Sequence, residues 1–236
     1  MTTQEFSDGF DTLLNSFGST LTFGSTLTFG STLTFDEYEK SVFLTKAQES
    51  IVIELYDSFE NTEEIRRYLS ELIAEYKTLP ITTSNGTPLG ISSSSTFFTL
   101  PEKLMFITME TVTVDKGRCG KSQIKVYPVK QDEYQVIKDN PFRGANEKRA
   151  LRLDLSEGVV EIICKYNVES YYIRYIKKPS PIILVDLPDD LTIDKENKRT
   201  ECKLHESLHQ KILEMAVRLA IQSKSYGATA KQQQQQ

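Results

Sequence analysis

The chain has 236 residues, with 28 Lys and Arg against 33 Asp and Glu, and 39% of it is hydrophobic. That is enough apolar material for one ample domain or two small ones, and a net charge of −5 offers no bulk attraction to phosphate backbones or anionic membranes. The opening MTTQEFSDGFD lacks the basic and apolar runs of a secretory signal and no segment reaches membrane-spanning length, while Cys119, Cys164 and Cys202 are odd in number and widely spaced, so free thiols in a reducing cytoplasm are expected.

Phe6, Phe10, Leu13 and Leu14 recur at helical spacing behind Ser7 or Asp8 as a start, predicting a short amphipathic helix. Residues 18–35 are three identical copies of Gly-Ser-Thr-Leu-Thr-Phe. An even period places Leu21, Phe23, Leu27, Phe29, Leu33 and Phe35 on one face of an extended chain. One coil's length of sequence is too little for a β-solenoid to bury its own core, so the repeat reads as an inserted low-complexity linker or, if ordered, a strand added to a neighbour.

From Asp36 the pattern turns helical again. Thr45 with Gln48 reads as a capping box opening a second helix, Lys46 to about Asp57, and Asn61 with Glu64 opens a third over 62–77 carrying Ile65, Leu69, Leu72, Ile73 and Tyr76. The turn-rich stretch 80–95, with Asn85-Gly86 and Pro88, marks the border of a β region. Strands are predicted over 97–100, 104–114 (a central one, apolar on both faces) and 123–129, then a short helix over 131–138 stopped by Asn140-Pro141. Leu151, Leu153 and Leu155 alternate, Ser156-Glu157-Gly158 turns, and 159–165 returns as a hairpin. Asn167 turns the chain into a last strand, 170–176. The expectation is an antiparallel meander or sandwich without parallel crossovers. A proline-punctuated segment and a polar loop lead into a long amphipathic helix striped by Leu208, Ile212, Met215 and Leu219.

Three motifs invite a chemical reading. Gly120-Lys121-Ser122 ends like a phosphate-binding loop, but Asp115 stands where the pattern needs glycine and a strand follows where it needs a helix N-terminus, so a basic turn is expected. His205-Glu206-Ser207-Leu208-His209 matches H-E-x-x-H, which sets two imidazoles one helical turn apart for zinc with the glutamate as general base. A third protein ligand is wanting: Glu214 lies out of line on the same helix, and Cys202 would crowd the helix start. Packing roles are therefore expected for both histidines, and a zinc-dependent metallohydrolase stands as the alternative. Asp189-Asp190 reads as a solvated turn. Tyr171, Tyr172 and Tyr175 with Arg174 have the composition of a protein-contact surface, or of a plain sheet face. No catalytic, cofactor-binding or metal-ligating residue is assigned.

Several segments taken together, Asp36-EYEKSVFLTKAQES, Thr62-EEIRRYLS, Asn140-PFRGANEKRALRLDL and Leu208-HQKILEMAVRLAIQSKS, resemble the neck ring proteins of crAss-like bacteriophages, which belong with the head-to-tail connectors of short-tailed phages. The resemblance spans residues 36–225 and the opening MTTQEFSDGFD; the hexad repeat and the terminal glutamine run depart from it. It implies a virion structural protein without cofactor: a ring of about twelve identical subunits packed heterologously, in contact with the portal and adjoining rings, around a channel that DNA crosses without sequence-specific binding. The mild negative charge suits such a bore, since weak repulsion keeps the duplex from adhering.

The fold class expected is α+β. N-terminal helices occupy 1–79 around the insert 18–35, an antiparallel β region 96–186, and a C-terminal helix 204–226 packs back on the first helices, followed by a disordered tail, 227–236. One compact domain is expected overall.

Overall fold

The structure, a computed structural model, describes residues 1–20, 34–57, 63–81 and 90–233. Where the sequence reading expects one domain, the chain divides into two compact units: residues 1–72 with 179–236, and residues 73–178.

The first unit is helical. Helix α1 (Thr3–Thr20) begins earlier than Ser7, because Thr2 and Glu5 cap each other: the Glu5 amide donates to Thr2 Oγ1 at 3.3 Å and the Thr2 amide to Glu5 Oε2 at 2.7 Å. Helix α2 (Glu37–Asp57) is capped the same way by Asp36 and Glu39, with the Glu39 amide 2.6 Å from Asp36 Oδ1, so no separate helix starts at Thr45. Thr45 and Gln48 instead lie inside α2 and read out an extended segment. Gln48 Nε2 donates to the Ser180 carbonyl, Thr45 Oγ1 accepts from the Ile182 amide and Ser41 Oγ from the Leu184 amide. Residues three or four apart on the helix thus satisfy every second residue of an extended segment whose intervening Ile183 bridges Thr200 by two backbone hydrogen bonds.

Helix α5 (His209–Gln233), preceded by a 3₁₀ turn at Glu206–Leu208, packs on α1 and α2. Its buried face is His209, Ile212, Leu213, Ala216, Val217 and Ala220, while Met215 and Leu219 are only partly covered, so the stripe is rotated from the expected one. Gly9 of α1 makes room for Leu213: a Cβ there would stand 2.7 Å from its Cδ2. The helix runs on to Gln233, into the expected tail. Of the repeat, residues 21–33 lie outside the described residues, and with them Leu21, Phe23, Leu27, Phe29 and Leu33. Phe35 is buried, its ring edge-on to Phe10 and Phe43 at 5.9 and 5.6 Å.

The predicted third helix is a correction. Only α3 (Glu63–Leu69) and a 3₁₀ turn to Leu72 are helical, and Ile73–Thr78 forms strand β1. Its register on the last strand, from Ile73↔Ile176 to Thr78↔Tyr171, supplies a full backbone ladder that outweighs the local helical pattern.

Strands β2 (Ser95–Thr99), β3 (Leu104–Asp115), β4 (Lys121–Pro128), β5 (Arg149–Asp154), β6 (Val159–Ile163) and β7 (Asn167–Lys177) complete one sheet in the order β1-β7-β3-β4-β5-β6-β2. Strands β3 and β7 are interior, as expected of β3, and β5 with β6 form the expected hairpin. The sheet is mixed, not a pure meander. β4 and β5 pair in parallel (Lys125↔Arg149 to Pro128↔Arg152), joined by a crossover containing α4 (Gln131–Ile137), which covers Leu151, Leu153 and Ile163 with Tyr134 and Ile137. A single core takes side chains from all seven strands, among them Tyr76, Phe98, Val112, Val126, Ala150, Ile162 and Tyr171. Seven flat strands spaced about 4.8 Å apart would keep the outer ones far from a common centre, so the sheet is rolled. The Ile81 amide, just beyond β1, donates to the Phe97 carbonyl of β2 at 2.9 Å, bringing the two outer strands together.

Candidate functional site

The H-E-x-x-H stretch does not form one helical turn. His205 is an extended N-cap (φ −54°, ψ 140°) whose Nδ1 accepts from the Ser207 amide at 3.3 Å and meets its hydroxyl at 3.0 Å, with the ring tilted against Tyr68, centroids 5.3 Å apart. Glu206 is exposed. His209 is the first residue of α5 and buried; its Nε2 donates to the Leu204 carbonyl at 2.9 Å and its Nδ1 accepts from the Met1 amine at 2.8 Å. Those partners fix a neutral Nε2–H tautomer, since a carbonyl can only accept. Burial, with the nearby amine, holds the imidazole below its usual range. The Phe6 ring tilts onto it at 5.4 Å.

The residues weighed as further ligands are elsewhere engaged. Cys202 Sγ points to Gln48 Oε1 at 3.4 Å, and burial pushes its thiol up to about 11, away from the thiolate a metal needs. Glu214 is exposed and accepts from Gln210 Nε2 at 3.0 Å. Among the described residues no group of three or more His, Cys, Asp or Glu is placed to hold a metal ion.

Gly120 sits at φ +72° closing a tight turn between β3 and β4, where the Lys116 amide donates to its carbonyl at 3.1 Å. Lys121 begins β4 and pairs with Glu169 at 2.7 Å, so the amides here serve a turn and a ladder, not a helix N-terminus. Asp189 accepts from Asn197 in an exposed turn, as expected. The tyrosine set is split by strand alternation: Tyr171 and Tyr175 point into the core, while Tyr172 and Arg174 face out with Glu75. Arg174 Nε lies 2.8 Å from Glu75 Oε1 and 3.0 Å from the Tyr172 hydroxyl.

A polar cluster that sequence reasoning passes over lies in the β unit. Glu110 and Arg152 are both 8% exposed and pair at 2.8 Å; Tyr171 donates to the other Glu110 oxygen at 2.7 Å, and Arg152 Nε reaches Asp154 at 2.9 Å. Burial pushes the Glu110 carboxyl above the ordinary carboxylate range against the pull of Arg152 and Tyr171, and raises the Tyr171 phenol far above its own. The signal in the sequence is parity: Glu110 shares the inward face of Val112 and Val114, and Arg152 that of Ala150. The cluster ties β3, β5 and β7 together.

Charge is distributed unevenly between the units. Residues 73–178 hold 16 Lys and Arg against 12 Asp and Glu, whereas residues 1–72 with 179–236 hold 12 against 21.

Residues 1–232 match the family described as phage tail ring protein 3/4. It is 48% identical to "Ring protein 3" of Bacteroides phage crAss001, over 95% of this chain and 97% of that protein, and 30% identical to "Ring protein 4/5" of the same phage, over 93% and 92%.

Proposed function

The chain belongs to the phage tail ring protein 3/4 family and is a ring protein of the crAss-like phage type, and from that premise we propose that it is a virion structural subunit which closes into a ring in the neck, as part of the head-to-tail connector. The observation that carries this reading is end-to-end similarity at 48% identity to a protein named for its ring. About twelve copies, packed head to tail, would close the ring. Its neighbours would be the portal and the adjoining neck or tail rings, with the genome passing through the bore.

The build of the chain agrees with a load-carrying part. Two compact units each have their own core, the two histidines of the H-E-x-x-H stretch are engaged in capping and packing, and the buried ions hold strands together. A net charge of −5 gives no excess attraction for duplex DNA, so passage without sequence-specific binding is the expected behaviour. No described helix is long and apolar enough to cross a membrane.

Negative-stain electron microscopy of the purified chain, alone and mixed with the portal of its phage, tests this. Closed rings of uniform subunit number are expected. Particles without rings in both samples, together with stoichiometric zinc and a hydrolytic activity lost in Glu206→Gln, would establish the metallohydrolase instead.

A further inference from the structure

Building on the ring reading, we propose that the end of the β unit where three turns meet, 115–121, 143–149 and 164–166, is the surface by which each subunit touches the phosphate backbone of duplex DNA in the bore, without reading its sequence.

The three turns converge on Glu147. Lys116 Nζ donates to its carbonyl at 3.3 Å and lies over the Tyr166 ring, 5.1 Å from the centroid, while Lys165 Nζ pairs with its carboxylate at 3.1 Å. Lys116, Arg118, Lys121, Lys148, Arg149 and Lys165 are thereby gathered at one end of the sheet, and Lys125 continues the outer face of β4 about 13 Å beyond Lys121. Three carboxylates stand among these seven cations, and each is engaged: Glu147 with Lys165, Glu169 with Lys121 at 2.7 Å, and Asp115 with the Gly117 amide at 2.8 Å. Among the described residues Arg118, Lys125, Lys148 and Arg149 have no ion-pair partner. The excursion between β4 and β5 does not cancel the charge. Its Asp132, Glu133 and Asp139 are opposed by Lys130, Lys138 and Arg143, and residues 115–149 with 164–169 still hold 10 Lys and Arg against 6 Asp and Glu, where the rest of the chain holds 18 against 27.

Two of the cations are held against each other. Lys125 and Arg149 are register partners on the parallel strands β4 and β5, and both lean on Tyr127, with Lys125 Nζ 5.2 Å and the Arg149 guanidinium carbon 4.1 Å from the ring centroid. Like charges side by side on a sheet repel, and the shared ring offsets only part of this. An anion between them removes the repulsion, and a phosphate oxygen accepts from both. The occupant follows from what the surface lacks. Among the described residues no exposed large apolar side chain stands within 111–127, 146–149 or 164–169, whereas a protein contact is centred on such groups. Cations spread over three turns, some of them carried on aromatic rings, suit a polyanion whose charges are spread along a line. The chain's net charge of −5 keeps the hold weak, so the duplex can slide.

The test is fluorescence anisotropy of a labelled 30-base-pair duplex, in one A·T-rich and one G·C-rich sequence, titrated with the full chain across a salt series, with ring formation followed by sedimentation velocity with and without the portal. The wild-type chain should bind both duplexes alike, with an affinity that falls steeply with salt. Lys125→Glu sets a carboxylate beside Arg149 and so removes one phosphate contact and neutralises a second. Its melting temperature should stay level or rise, while its affinity falls at least about tenfold and the salt slope drops by about 2. Lys198→Glu, on an exposed turn of the helical unit, should bind as the wild type does. Wild-type rings without affinity for either duplex at low salt would overturn the inference and leave the ring reading intact, and so would equal losses in the two variants. Lys125→Glu that binds the duplex normally but no longer forms rings would assign the surface to the acidic helical unit of a second copy instead. A chain that never forms rings, even with the portal, would remove the ring reading, and the same titration of the monomer would still decide the phosphate contact.

Discussion

Tyr171 of β7 donates its hydroxyl hydrogen to Glu110 of β3 at 2.7 Å inside the rolled sheet, and Arg152 of β5 closes the cluster from the other side. Three strands that are not all neighbours are thereby held in one register, a service of specificity more than of net stability. Removing Arg152 strands a buried carboxylate, so Arg152→Met is expected to cost about 3–5 kcal/mol. Tyr171→Phe leaves the ion pair in place and should cost about 1–2 kcal/mol. Urea denaturation of both variants checks the order; equal, small losses would show that the pair does not hold the strands.

The two histidines are expected to behave oppositely. His205→Ala removes a half-buried cap and its contact with Tyr68 and should cost about 1 kcal/mol, whereas His209→Ala loses the Leu204 bond and the packing on Phe6, about 2–4 kcal/mol. Thermal melts separate them, and neither variant should change metal content.

Stability should also depend on pH through His209. Its imidazole is held below the usual range when folded, so just below the unfolded value of about 6.5 the unfolded chain binds more protons. Stability therefore falls as pH drops through that value and levels off once the folded imidazole also titrates. His209→Gln should flatten this part of the melting temperature profile between pH 5 and pH 7.5; an unchanged slope would place the dependence elsewhere.

Lys40, with a side chain 5% exposed, bonds Asp11 at 2.7 Å, Glu37 at 2.9 Å and Ser7 at 3.1 Å, tying α1 to α2. Burial works against its ammonium, but the two carboxylates hold it above the usual range. The acids are 51% and 37% exposed and can rehydrate when the lysine is lost. Lys40→Met should therefore cost only about 1–2 kcal/mol by chemical denaturation, while Lys40→Glu, which adds a third carboxylate, should cost more.

Gly144 permits the fold of the excursion. A Cβ there would stand 2.7 Å from the Asn140 carbonyl oxygen and 2.8 Å from that of Lys138, both backbone atoms that cannot step aside. Gly144→Ala is expected to destabilise the chain by about 1–3 kcal/mol. A thermal melt against the parent chain checks it, and an unchanged melting temperature would show that the turn yields.

Much of the chain was legible. The helix from Glu37, the hairpin of Leu151–Leu155 with Val159–Ile163, the short helix after Gln131 and the basic turn at Gly120 all rest on local chemistry, which a sequence displays directly. The errors fall where distant partners decide. Ile73 and Tyr76 continue a helical pattern, yet β7 offers them a ladder. Thr45 and Gln48 form a capping box on paper, yet an extended segment more than 130 residues away claims their side chains. The parallel pairing of β4 with β5 leaves no local mark because its crossover helix reads like any connection.

By itself the sequence determined the composition of the elements, the ring-protein family and the literal His205–His209 spacing, because these are properties of residue order. Only the tertiary structure decided that the sheet rolls, that Glu110 and Arg152 meet, and that His209 spends both ring nitrogens inside the helical unit. Each depends on which groups are brought out of water together, and burial makes a partner obligatory where solvent would leave it optional.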